Sequence, residues 1–323
     1  MDTANQRLTL AIDQRIDEPG GIARLRLRSL DGAPLAPFTA GAHLDVHVRD
    51  GEIDLWRQYS LCSDPQVNEF YEIGVLRDPN SRGGSEALHR IARVGETLEI
   101  EGPRNHFPLH EEAPQSLLFG GGIGVTPMMA MARRLRALGK DFTLHYCTRS
   151  RSVTAFRGEV EAAGLSDVVV YHHDDELETK LDLNAELAAA REGAHVYVCG
   201  PQGFMEWVIS RARESGIGDE RIHREFFSVD VDVSGDVFEV IAERSGVTVS
   251  VGSEETIAKA LAKAGVKVEV KCEEGVCGTC VADVIEGEID HRDHFLTEEE
   301  KQEGEMMCVC CSRAKGKRIV LDL

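Results

Sequence analysis

"KCEEGVCGTCVADV", residues 271–284, sets three cysteines into nine residues, Cys272, Cys277 and Cys280, spaced C-x4-C-x2-C. Zinc sites usually join a C-x2-C pair to a second such pair or to histidines, and Cys272 has no place in that pattern. The 4–2 spacing with one more distant cysteine is the plant-type [2Fe–2S] pattern. Gly275 and Gly278 fall between the ligands, where the backbone must wrap tightly and turn N–H groups toward sulfur. "MMCVCCSRA" (306–314) offers Cys308, Cys310 and Cys311 for the fourth position. Ahead of the loop, "VFEVIAERSGVTVSVGSEETIAKALAKAG" reads as two strands, a turn and a helix capped near Ser253; "RIVLDL" reads as a final strand. The last part of the chain is therefore an α+β domain built around a metal.

The whole chain has 323 residues, enough for two or three domains of about 100–200 residues each. Its net charge of −20 argues against nucleic acid and anionic membranes as partners. The N-terminus lacks a basic stretch followed by an apolar one, and no run approaches the ~18 apolar residues of a membrane span. A cytoplasmic protein is expected. In that reducing setting, six of nine cysteines within the last 52 residues point to metal ligation rather than disulfides.

Working back from the metal domain, "DVDVSGD" (230–236) reads as a short acidic linker. Before it, from about Pro108, strands alternate with helices, which implies a parallel sheet covered on both faces. The first 107 residues read as strands and turns, with "SEALHRIA" the one helical stretch, hence an antiparallel β-domain, expected as a barrel. The expected division is 1–107, 108–229, the linker 230–236, and 237–323.

Two stretches in the barrel can hold a phosphate and a flat ring. "RQYSLCSD" carries Arg57, Tyr59 and Ser60 at a strand end: a fixed charge, a ring for stacking and a hydroxyl. "DPNSRGGSEALHRIA" places Arg82, Gly83, Gly84 and Ser85 at the start of the helix, where backbone N–H groups face an anion and Ser85 can cap. In the second domain "FGGGIGVTPMMAM" holds Gly121, Gly122, Gly124, Thr126 and Pro127 between a strand and a helix, a turn that admits a pyrophosphate. "YVCGPQGFM" supplies Cys199, Gly200, Pro201 and Met205 at the end of a later strand. The plain alternative for Cys199 is a small buried hydrophobe. "YCTRS" adds Thr148 and Arg149, and "HHDD" (172–175) reads as a cleft lining or a solvated strand end.

Taken in order, these motifs resemble the phthalate dioxygenase reductase and vanillate demethylase reductase family over essentially the whole chain; "CEEGVCGTC", "GEIDHRDHFLTEEE" and "CCSRAKGKRIVLDL" carry the likeness in the last domain. The resemblance implies a multidomain chain: an antiparallel β-barrel flavin domain, an α/β nucleotide domain and a β-grasp ferredoxin domain. It implies FMN, with Arg57, Tyr59, Ser60 and Arg82 to Ser85 around it. FAD would need surface for its adenosine that no insertion here supplies. It implies NADH at Gly121 to Pro127 and at Gly200, Pro201 and Met205, with Thr148 and Arg149 toward the adenosine; one arginine does not decide between NADH and NADPH. Cys199 would stand near the nicotinamide C4, and an aromatic ring of "REFFS", Phe227 or alternatively Phe226, against the flavin. Cys310 would complete the cluster, with Cys308 and then Cys311 as rivals. The implied role is that of a monomeric NADH-dependent reductase feeding a Rieske-type oxygenase. A cytochrome P450 as acceptor, or a non-enzymatic iron–sulfur sensor, are the alternatives.

Overall fold

The computed structural model describes residues 7–79, 83–227 and 231–323, and the chain forms two compact units, Met1–Glu225 and Phe226–Leu323. The first unit begins with a six-stranded antiparallel sheet in the order β4-β3-β6-β1-β2-β5. Its strands are β1 (Arg7–Glu18), β2 (Ile22–Ser29), β3 (His43–Asp50), β4 (Ile53–Ser60), β5 (Tyr71–Leu76) and β6 (Thr97–Arg104). Alternate residues such as Leu44, Val46 and Val48 fill the core with Leu25, Leu27, Ile73 and Ile100, as period-two patterning requires. A bridge from Leu61 to Ile73 brings the chain beyond β4 to β5, so the sheet curls until its two edges meet. Helix α1 (Gly84–Ile91) packs Ala87 and Leu88 into this core.

The rest of the first unit is a five-stranded parallel sheet, β11-β10-β7-β8-β9. It comprises β7 (Ser116–Gly121), β8 (Phe142–Thr148), β9 (Val169–His173), β10 (His195–Cys199) and β11 (Ile222–Glu225), connected through α2 (Val125–Ala137), α3 (Arg157–Ala162), α4 (Leu183–Ala188) and α5 (Gln202–Glu214). All six residues of β7 are buried, as a parallel strand covered on both faces must be.

The second unit holds a mixed sheet, β13-β12-β18-β14-β16, and a small pair β15-β17. The strands are β12 (Phe238–Ala242), β13 (Val247–Val251), β14 (Val281–Glu286), β15 (Ile289–Asp290), β16 (Met306–Cys308), β17 (Arg313–Ala314) and β18 (Arg318–Leu321), with helices α6 (Ile257–Lys263) and α7 (Glu298–Glu303). Thr256, not Ser253, caps α6: its hydroxyl accepts from Lys259 N at 3.2 Å. Ser253 instead sits in a turn where Gly252 N donates to Glu255 Oε2. Residues 231–236, read as a linker, are strapped to this unit. The buried Arg313 donates to the carbonyls of Val233 and Asp236, and Arg292 to that of Ser234.

Candidate redox cofactor sites

In an open parallel sheet, ligands gather beyond the strand C-termini where the strand order reverses. Here β7 has β8 on one side and β10 on the other, so that point lies between β7 and β10. Both glycine motifs are there. Gly124 packs so closely on the Cys199 carbonyl that a Cβ at 124 would collide with it. Gly200 lies on Gly121, where an added Cβ would be 2.9 Å from the Gly121 Cα, and Pro201 and Phe204 flank Gly121. Gly121, Gly124, Cys199, Gly200 and Pro201 therefore form one surface, and Gly122 turns the chain between them with φ of +55°.

The remaining residues of this set sit differently. Thr126 is buried in the first turn of α2; its hydroxyl donates to Ile123 O at 3.0 Å and its methyl faces Gly74 of β5. Pro127 is buried beside it, and Met205 is fully buried in α5. Thr148 shares a hydrogen-bond cluster with Thr154 and His173, while Arg149 next to it is exposed. Of the "HHDD" stretch, Asp174 and Asp175 are exposed, while His172 and His173 are buried, and His172 bonds to His145 at 3.1 Å.

Ser60 closes the site from the barrel side. Its hydroxyl donates to Glu225 Oε2 at 3.0 Å, and Glu225 stands opposite Cys199 in the β10–β11 register. Burial pushes the Glu225 carboxyl up to about 8, against the lowering effect of the Ser60 hydroxyl. Burial and then the Glu225 charge push the Cys199 thiol well up, so it stays protonated. Glu225 was missed in the sequence, where "REFFS" was read for its rings alone. Its signal was a carboxylate closing a strand that ends beside a cofactor cleft.

On the barrel, Arg57 and Tyr59 follow one another on one face of β4. Arg57 lies against the helix start: a Cβ on Gly84 would be 3.3 Å from its Nε. Gly83, with φ of +88°, takes the left-handed N-cap position of α1. Ser85 does not cap the helix; its hydroxyl accepts from Asp78 N at 3.2 Å. Arg82 lies outside the described residues.

In the second unit Cys272, Cys277, Cys280, Cys308, Cys310 and Cys311 are all buried. Cys272 is within hydrogen-bond reach of Cys277 and Cys310, and Cys280 of Cys308 and Cys310. Cys310 thus reaches both ends of the loop. The Glu274 amide donates to Cys272 Sγ at 3.4 Å, and Gly275 and Gly278 both take positive φ as the loop wraps. Four converging sulfurs with amides directed at them suit an iron–sulfur cluster. Phe227 exposes 37% of its surface, while Phe226 lies 4.6 Å from the His294 ring.

Comparison with known proteins agrees with this geometry. Residues 240–315 match the family model for a 2Fe-2S iron-sulfur cluster binding domain, and residues 118–209 that for an oxidoreductase NAD-binding domain. The vanillate O-demethylase oxidoreductase of Pseudomonas sp. (strain HR199 / DSM 7063) is 47% identical over 305 residues, covering 94% of this chain and 95% of that protein. The structure of phthalate dioxygenase reductase, titled a modular structure for electron transfer from pyridine nucleotides to [2Fe–2S], superposes with TM-score 0.74 at 38% identity, covering 98% of each chain. An intact type IV self-sufficient cytochrome P450 monooxygenase matches with TM-score 0.83 at 37% identity; 98% of this chain corresponds to 41% of that one. Among the described residues no helix is long and apolar enough to cross a membrane. The chain belongs to the family of the vanillate O-demethylase oxidoreductases and phthalate dioxygenase reductase, as an electron-transfer oxidoreductase with an NAD-binding domain and a [2Fe–2S] domain.

Proposed function

We propose that this protein carries electrons from NADH through FMN and a [2Fe–2S] cluster to a Rieske-type terminal oxygenase. A hydride brings two electrons and the cluster takes one at a time, and bound FMN supplies that conversion. The observation that carries the reading is the meeting of Ser60, Cys199 and Glu225 where β7 and β10 diverge, with the glycine surface beside them. There the chain can seat a nicotinamide against a flavin ring held by the barrel. Arg57, with Gly83 and Gly84 at the start of α1, suits a terminal phosphate; Tyr59 suits the ring. Cys199 acts as a neutral positioning group, and Phe227 is assigned to shielding the flavin. Cys272, Cys277, Cys280 and Cys310 are the proposed ligands.

We assign residues 1–107 to FMN, 108–229 to NADH and 237–323 to the cluster, with 230–236 between them. A monomer in the reducing cytoplasm fits nine cysteines that are all free. The test is stopped-flow reduction of the purified, cofactor-loaded protein by NADH and NADPH, followed by transfer to a Rieske oxygenase or a cytochrome P450. Faster transfer to the Rieske protein supports the reading. Preference for the P450 favours the second reading, for which the match to a self-sufficient P450 speaks. Failure to reduce either acceptor, or cytochrome c, would leave the sensor reading.

A further inference from the structure

We propose that His110, His195 and His223 bind one divalent transition-metal ion of the zinc class, at a site separate from the redox cofactors. Their candidate ligand nitrogens all lie within 4.8 Å of one another, and no ion is present. The three come from three elements: His110 from the segment between β6 and β7, His195 from the first residue of β10, and His223 from β11. His195 and Cys199 stand at opposite ends of β10, about 13 Å apart at roughly 3.3 Å per residue. The nucleotide motifs are at the far end of the sheet.

The site has the features a metal centre needs. His195 Nδ1 and His223 Nε2 are 2.8 Å apart, a hydrogen bond between two rings of which one must lend a lone pair. A tetrahedral ion with bonds of about 2.0–2.1 Å separates its ligand nitrogens by roughly 3.4 Å, so this pair opens by about half an ångström, and the exposed His110 ring, stacked on His223 at 4.6 Å, turns to aim a nitrogen at the ion. Tyr197 supports both partners. Its ring stacks on His223 at 4.5 Å, and its hydroxyl accepts from the His110 backbone N–H at 2.9 Å. His110 is exposed, which leaves an entry path and room for a water as fourth ligand. The nearby Arg221 is paired with Glu220. Imidazole ligands favour zinc, copper and nickel over magnesium and calcium.

The ion would fasten a weak place. Strand β11 has four residues, lies at the sheet edge and carries Glu225. A bond from His223 to His195 and His110 ties it to β10 and to the segment that leads out of the barrel.

Zinc uptake by the cofactor-loaded protein is measured by equilibrium dialysis at micromolar free zinc, with iron and flavin content followed in parallel. The expected result is one zinc per chain with iron unchanged and a higher melting temperature. His110→Ala removes a ligand on an exposed segment and leaves the fold intact. It should weaken binding by more than the roughly 10–100-fold that losing an outer-shell partner costs. His195→Asn, checked for wild-type iron and flavin content, should do the same. No zinc bound by the native chain, or equal zinc bound by the His110→Ala variant, overturns the proposal.

Discussion

Cysteine appears in two settings in this molecule, and they make opposite use of the same thiol. At the end of β10, Cys199 is buried with a carboxyl opposite it, so its proton is held and it can only pack and position. In the C-terminal unit, Cys272, Cys277 and Cys280 of one loop, with the Glu274 amide directed at the Cys272 sulfur, are met by Cys310 from the segment between β16 and β17. The first setting keeps a single thiol protonated, while the second brings several sulfurs together, the arrangement in which an iron–sulfur core takes them as thiolates. Chemistry here is assigned by the backbone that surrounds the sulfur.

The largest expected effect breaks the second setting. Cys310→Ser should abolish cluster absorption and bound iron while NADH still reduces the flavin. Cys308→Ser should keep the cluster, and the reverse pattern in iron content would transfer the fourth ligand to Cys308. Next comes the close approach that builds the first setting. Gly124→Val drives a side chain into the Cys199 carbonyl, so the nicotinamide end of the site must shift. A displacement on the order of 1 Å costs about 100-fold in rate. Stopped-flow flavin reduction within a few-fold of wild type would show that this contact does not set the geometry.

The two settings differed in how well they could be read from sequence. The 2Fe-2S domain was legible because three of its cysteines are local, spaced by four and two residues. The nucleotide-binding domain was half legible: its glycines were read as room for a pyrophosphate, while the packing of Gly124 on Cys199 and of Gly200 on Gly121 emerges only in the fold. Glu225 was not, because its meaning depends on the pairing of β11 with β10 and on Ser60, 165 residues away. "HHDD" was legible only in its two exposed aspartates, and its histidines misled for a similar reason. Its polar letters suggest solvent, yet His172 Nδ1 donates to Thr179 O at 2.8 Å and its other nitrogen meets His145, so two histidines are accommodated in the interior.

That interior pair gives the third prediction. Burial pushes His145 down to about 4 from 6.5, and the ring stacks on Phe119 with Glu186 Oε2 3.5 Å away. Between those two values the unfolded chain binds a proton that the folded chain does not. The His145 contribution to stability should therefore be full above pH 6.5, fall as the pH drops toward 4, and stop falling below it, by on the order of 3 kcal/mol. Urea unfolding of wild type and His145→Gln across this range checks it: the variant should lose the His145 share of the slope and keep that of other buried histidines such as His223, and identical slopes would assign the acid sensitivity wholly to those others. Cys199→Ala is a smaller perturbation. A neutral thiol that positions the ring should be worth about tenfold in hydride transfer, or ~1.4 kcal/mol, with NADH affinity nearly unchanged. A change confined to affinity would make Cys199 a binding group instead.

The smallest effect tests the support of the cluster unit. Helix α7 has six residues and buries none of them, so packing cannot hold it, and so short a helix does not form unaided. Its start is fixed by a capping box: Thr297 Oγ1 accepts from Glu300 N at 3.2 Å, and Glu300 Oε2 accepts from Thr297 N at 2.8 Å. "TEEE" carries this signature openly, though its letters were read for family likeness alone. The helix also places Lys301, whose ammonium donates to the carbonyl of Asp293, a residue whose own carboxylate accepts from the Leu296 amide and the Ser312 hydroxyl beside Cys311. Thr297→Ala should cost about 1 kcal/mol, seen as an earlier urea midpoint for loss of cluster absorbance, and Thr297→Ser should restore most of it. If the alanine variant loses its cluster at the wild-type midpoint, α7 and the cysteine loop unfold independently, and the segment from Asp293 to Ser312 does not couple them.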